Sequence, residues 1–224
     1  MAYILNIETS TKNCSASIAK DGTLIVLKEL NSGSFSHAEK LHVFIEDLLQ
    51  EAGLKITDLN AVAVGKGPGS YTGLRIGVSA AKGLCYALNV PLISVATLKM
   101  LAKRTRVSEG VIVAMLDARR MEVFSAVYND TYEEIRKTEA QIIDEHSFEN
   151  LLSQGKVTFI GDGAEKCKTM ITHPNAIFVD NAFPSAQEMA SLSFEKYQKS
   201  DTEDVAYFEP FYLKDFMDTS KKKS

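Results

Sequence analysis

The chain has 224 residues, 45% hydrophobic and 24% charged, which is the balance of an ordinary globular protein and excludes fibrous, low-complexity and largely disordered classes. That length fits one large domain or two small lobes, and a formal net charge of −4 leaves no broad basic face, so any nucleic acid is expected to be reached through a partner. Three cysteines at no metal-like spacing suggest free thiols, no apolar run nears the ~18 residues of a membrane span, and the start lacks a basic leader, so a cytoplasmic chain without a membrane anchor is expected.

The first thirty residues read as three strands, Tyr3 to Glu8, Cys14 to Ala19 and Thr23 to Leu30, with Asp21-Gly22 as a hairpin turn. Ser36 and Glu39 have the spacing of a capping box. Leu41, Phe44, Ile45, Leu48, Leu49 and Ala52 then follow helical spacing up to Gly53. Ala61 to Gly65 reads as a strand buried on both faces, Tyr71 to Leu88 as a long helix, Pro91 to Val95 as a strand and Leu98 to Arg106 as a helix or connector. Strands recur at Val111 to Leu116, Glu122 to Tyr128 and Val157 to Ile160. Helices recur at Ser147 to Ser153, Ala164 to Ile171 and Ser185 to Gln198. The second half repeats the order of the first. The expectation is therefore two mixed α/β lobes, 1–109 and 110–224, with the end of the chain able to pack back on the first and Thr219 to Ser224 a solvated tail.

Gly65-Lys66-Gly67-Pro68-Gly69-Ser70-Tyr71-Thr72-Gly73-Leu74-Arg75-Ile76-Gly77 joins a buried strand to a helix, an order that favours anions. Its spacing matches neither the P-loop nor the dinucleotide fingerprint, and it fits a tight turn set by Pro68 as well as a ligand cradle. The helix that follows has a small-residue face (Gly73, Ile76, Gly77, Ala80, Gly83, Leu84, Ala87) and a second apolar face (Tyr71, Leu74, Val78, Ala81, Cys85, Leu88). Such a helix must be covered on two sides, by its own sheet and by another element or another chain.

Catalytic machinery is not visible. His37 and His42, five apart, point ~140° from each other on a helix and cannot share a metal, and no nucleophile elbow or zinc-binding helix motif is present. Glu8, Asp117, Asp162 and Asp180 are the acidic candidates, with Glu8-Thr9-Ser10 placed where a carboxylate and hydroxyls could hold hydrated magnesium.

Together, Ile4 to Ser10, Gly65 to Gly77, Asp117-Ala118-Arg119 with Glu122-Val123, Gly161 to Ala164 and Glu209 to Lys214 resemble the TsaB (YeaZ) family over most of the chain. The resemblance implies a two-lobed actin/Hsp70-like (ASKHA) fold, each lobe on a ribonuclease-H-like mixed sheet. It implies a non-catalytic subunit of the bacterial machinery that makes N6-threonylcarbamoyladenosine (t6A) in tRNA. Such a subunit binds and activates TsaD, which transfers threonylcarbamoyl from threonylcarbamoyl-AMP to the adenosine beside the anticodon. TsaE joins the assembly, tRNA is met only through the complex, and the isolated subunit forms homodimers.

TsaD holds a metal through two histidines in an HxxxH arrangement; here His37 is followed four residues on by Leu41, so no metal is expected. ATP or ADP could sit at the lobe or subunit junction, near Glu8, Thr9, Ser10, Gly67 and Gly69, although Glu8, Thr9 and Thr11 depart from the actin-like phosphate loop. The partner interface is expected on the first two long helices at His42, Glu46, Tyr71, Leu74, Arg75, Val78 and Lys82. An autonomous ATP-dependent phosphotransferase or ATPase is the alternative.

Overall fold

The computed structural model describes residues 1–31 and 37–214. The chain opens with β1 (Tyr3–Glu8), β2 (Asn13–Lys20) and β3 (Thr23–Asn31), an antiparallel meander turned at Asp21 and Gly22, both with positive φ as a two-residue hairpin requires. After α1 (His37–Ala52) come β4 (Ala61–Gly67), α2 (Tyr71–Leu88) and β5 (Leu92–Ala96), with β4 parallel to β1 and β5 parallel to β4. The first sheet thus has the order β3-β2-β1-β4-β5. The expected capping serine, Ser36, and the tail 219–224 lie outside the described residues.

A short α3 (Thr97–Ala102) leads into β6 (Val111–Asp117), β7 (Glu122–Tyr128) and β8 (Glu134–Ile142), again antiparallel. Then follow α4 (Glu149–Leu152), β9 (Val157–Ile160), α5 (Asp162–Glu165), β10 (Ala176–Val179) and α6 (Ala186–Gln198), with β9 parallel to β6 and β10 parallel to β9. The second sheet, β8-β7-β6-β9-β10, repeats the first strand for strand. The fold is a two-lobed α/β architecture built on two mixed five-stranded sheets. β8 and β10 have no counterpart in the sequence reading. β8 is an edge strand whose exposed positions mix the charges of Glu134, Lys137 and Glu139 with Ile135 and Ile142, and the helix expected over Ala164 to Ile171 is confined to α5, followed by turns.

Each sheet is covered on both faces, and the two lobes exchange a helix. One face of the first sheet packs against α1 and α2 through Leu5, Ile7, Ile18, Leu41, Leu48, Val64, Val78 and Cys85. Its other face is closed by α6, from the second half of the chain, where Met189 and Leu192 meet Ile4, Ala63, Ile93 and Val95. In return, Leu98, Leu101 and Ala102 of α3 cover Ile112, Ala114 and Ile160 of the second sheet.

The seam under α6 explains three polar residues inside the first sheet. Asn6 Oδ1 accepts from the Ser193 hydroxyl at 2.6 Å, Ser15 Oγ from the Ala186 amide at 2.9 Å, and Ser17 Oγ donates to the Ala186 carbonyl at 2.8 Å. Each buried polar group is satisfied across the seam, which fixes the angle at which α6 seats.

Candidate functional site: a closed loop beneath α2 and an open helix face above it

The β1–β2 turn carries Glu8, Thr9 and Ser10, the residues expected near a nucleotide. Here it is sealed: Glu8, Thr9 and Ser10 are at most 1% exposed and Thr11 6%. The seal is made by the glycines of the segment that follows β4. A side chain on Gly73 would collide with the Thr9 carbonyl oxygen, one on Gly77 with Thr9 Oγ1, and one on Gly69 would stand 2.5 Å from the Ser10 carbonyl oxygen. Thr9 Oγ1 donates to the Gly73 carbonyl at 2.8 Å, and the Ser70 amide donates to the Ser10 carbonyl at 2.7 Å. These glycines permit the close approach of α2 to the turn. Ser70 caps α2, its Oγ accepting from the Gly73 amide at 3.3 Å.

Glu8 is fully buried at the end of β1. Oε1 accepts from the Ser10 amide at 2.5 Å, while Oε2 meets no donor among the described residues. Room for Oε2 exists because β4 carries Gly65, where a Cβ would strike it. Exclusion of water pushes the Glu8 pKa up to about 7, with hydrogen bonds from Ser10 and Thr9 pulling the other way. Burial, with Glu8 adding to it, raises the nearby Cys14 thiol to about 11, so this cysteine is an unreactive core residue.

The histidines offer no metal site. His37 is buried, its Nε2 donates to the Thr11 carbonyl at 2.7 Å, and burial lowers its pKa. Leu41, one turn on, lies in the core. No group of three His, Cys, Asp or Glu side chains able to hold a metal occurs among the described residues. In the second lobe, Asp117 is ion-paired with Lys166, Asp162 accepts from the Asp117 amide at 3.0 Å, and Asp180 pairs with Lys168.

The expected interface residues divide. Leu74 and Val78 are 1% and 4% exposed and face the core of the first lobe. The expected face is therefore corrected: Leu74, Val78, Ala81 and Cys85 have the 4-3-4 spacing of a core stripe, and the sheet takes it. His42, Glu46 and Arg75 are exposed, and Tyr71 and Lys82 are half-buried. The outer face of α2 consists of Thr72, Arg75, Ser79, Gly83, Tyr86 and Ala87, with Val43 of α1 half exposed. A Cβ at Gly83 would meet nothing within 4 Å. Tyr86, 86% exposed, stands out from this face.

Tyr71 and Lys82 are half-buried because the C-terminal segment 203–214 crosses them, a contact that helical phase alone does not disclose. Glu203 bridges to Leu92 on the free edge of β5 and accepts from the Ser94 hydroxyl at 2.5 Å. Val205 and Phe208, half-buried, pack against the first core. Lys82 Nζ donates to the carbonyls of Ala206 (3.1 Å) and Phe208 (2.9 Å). The Phe211 amide donates to the Lys66 carbonyl at 2.7 Å, the Tyr212 ring lies 5.0 Å from that of Tyr71, and Lys214 pairs with Glu122 of the second lobe. Gly67 is needed at the crossing, since a Cβ there would come within 2.8 Å of the Phe211 carbonyl oxygen. Glu209-Pro210, one of the motifs behind the family resemblance, sits in the middle of this strap.

Comparison with known proteins adds the family context. The family model described as "TsaD: tRNA N6-adenosine threonylcarbamoyltransferase" matches residues 32–217. The tRNA threonylcarbamoyladenosine biosynthesis protein TsaB of Escherichia coli is 31% identical over 219 residues, spanning 94% of each chain. The TsaB of Haemophilus influenzae is 28% identical over 94% of this chain and 93% of its own. The solved structure of YeaZ from Pseudomonas aeruginosa superposes with a TM-score of 0.80 at 26% identity, covering 95% of this chain and all of that one.

Proposed function

Because the chain belongs to the family of the TsaD model, and within it to the TsaB (YeaZ) branch, with a role in tRNA threonylcarbamoyladenosine biosynthesis, we propose that it serves there as a non-catalytic subunit that seats and activates a TsaD-type transferase. One observation carries this reading. The turn expected to meet a nucleotide is buried under α2, while the opposite side of the same helix is exposed among the described residues. A helix lined with Ser79, Gly83 and Ala87 lets a partner helix approach at the short end of the usual ~8–10 Å spacing. Tyr86, Val43 and Arg75 then supply the large side chains that dominate the energy of such contacts. TsaE joins that assembly, and without the transferase a second copy of this chain occupies the same face.

Replacing Gly83 with Arg tests the reading. The position is exposed with open space around it, and removing a mid-helix glycine favours the helix by roughly 0.5–1 kcal/mol. The variant should fold at least as stably as the wild type yet lose tenfold or more in affinity for the transferase, measured by titration calorimetry. Unchanged affinity would reject the α2 face as the interface. The sealed turn yields a second expectation: Mg-ATP titrated into the chain alone should give no micromolar binding isotherm, whereas a phosphotransferase would give one.

A further inference from the structure

The β6–β7 hairpin tip carries two consecutive arginines in left-handed backbone, Arg119 at φ +71° and Arg120 at φ +50°. Glycine or asparagine ordinarily fills such positions, because a longer side chain there strains the backbone. Both side chains are exposed and neither forms an ion pair or hydrogen bond among the described residues; the tip is held by the main chain, with Arg119 N donating to Asp117 Oδ1 at 3.0 Å and Lys166 Nζ donating to the Arg120 carbonyl at 2.7 Å. Strained residues kept where they make no internal contact direct attention to what they face outside the chain.

The tip stands at the junction of the lobes, next to the end of the strap. Lys214 reaches Glu122 there, and two residues earlier Tyr212, 38% exposed, lies against Tyr71, whose ring carries the Arg75 guanidinium at 5.4 Å. From across the junction, Lys12 on the β1–β2 turn acts electrostatically on Asp162, whose Oδ1 holds the Asp117 amide. Lys166 and Lys214 are spent on Asp117 and Glu122, and Glu209 lies beside Tyr212. Arg119, Arg120, Lys12, Lys66 and Arg75 are left without an ion pair among the described residues, an excess of positive charge in a chain whose net charge is −4. The Tyr212 ring, set among guanidinium and ammonium groups that form no ion pair with the described residues, matches a polymer that presents phosphates and base faces together, which an acidic protein does not.

We propose that this lobe-junction patch, centred on Arg119 and Arg120 and flanked by Tyr212, binds RNA directly, so that the subunit contributes its own phosphate contacts to tRNA instead of meeting it only through the transferase. The proposal rests on the role in tRNA modification argued above and adds a contact to it. Fluorescence anisotropy of a fluorescein-labelled tRNA transcript with the full chain tests it, using the double variant Arg119→Gly, Arg120→Gly. Glycine relieves the left-handed strain, so the variant should melt a few degrees higher and misfolding does not confound the result. RNA binding should weaken roughly tenfold, and the slope of log affinity against log salt should fall by about 1.5, the loss of two phosphate contacts. Tyr212→Ala should weaken binding with the slope unchanged. Absence of binding by the wild type, or equal binding by the double variant, overturns the proposal, as does competition by polyglutamate or ATP as effective as that by unlabelled RNA. The double variant should still associate with the transferase; if it does while RNA binding is unaltered, the RNA contact alone is refuted, whereas a wild type that ignores the transferase refutes the subunit reading.

Discussion

Replacing Gly73 with alanine should lower the thermal midpoint of this protein by about 4–8 °C, although the same change in an unconstrained helix would raise it. Two effects compete. Alanine is favoured over glycine inside a helix by roughly 1 kcal/mol. Against that, the new methyl group would run into the Thr9 carbonyl oxygen, a main-chain atom held in place because Thr9 Oγ1 is bonded to the Gly73 carbonyl and the neighbouring Ser10 carbonyl accepts the Ser70 amide. Neither side can yield as a flexible side chain would, so the collision costs on the order of 3 kcal/mol or more and wins. At this chain length each kilocalorie moves the midpoint by about 2–4 °C. Gly83→Ala on the same helix is the internal control, since nothing lies within 4 Å of its added carbon and a small gain is expected. Differential scanning calorimetry of the pair would decide it; equal shifts would mean that α2 does not press on the turn.

The second large effect concerns Glu8 and pH. Its pKa is about 7 in the folded chain, against 4.5 in an exposed carboxyl, so between these values the folded protein binds more protons than the unfolded one. Stability therefore falls as pH rises from about 4.5 to 7 and is flat, for this group, outside that window. The full loss is on the order of 3 kcal/mol, at 1.36 kcal/mol for each pH unit of displacement. Glu8→Gln keeps an oxygen for the Ser10 amide and carries no charge, so it should remove that slope and be the more stable protein at pH 8, read from urea unfolding at pH 5 and pH 8. A wild type with the same pH dependence as Glu8→Gln would show that the carboxyl is not shielded from water.

The strands and helices of both lobes were largely legible because their signals are local. The Asp21-Gly22 turn, the buried run at Ala61 and the apolar spacing of α1 and α2 each act over a few residues. What the sequence could not supply were choices between equivalent surfaces. α2 has two apolar sides, and only the sheet beneath it shows that Leu74 and Val78 turn inward while Ser79 and Gly83 turn out. β8 went unread because an edge strand need not alternate cleanly. The strap lacked a periodic signal altogether, since its contacts, from Glu203 to Leu92 and from Lys214 to Glu122, join residues about a hundred positions apart. The glycines after β4 were visible from the start, but their purpose depended on which turn they were pressed against.

The exchange of α3 and α6 has a consequence for how the protein is made. A ribosome delivers the five strands of the first sheet long before it delivers Met189 and Leu192, the residues that close that sheet's open face. The early half of the nascent chain therefore cannot finish its core by itself, and Ile4, Ala63, Ile93 and Val95 stay wet until nearly 200 residues have been joined. Cutting the gene at the apparent midpoint would yield one half with a bare sheet and another whose last helix has nothing to cover.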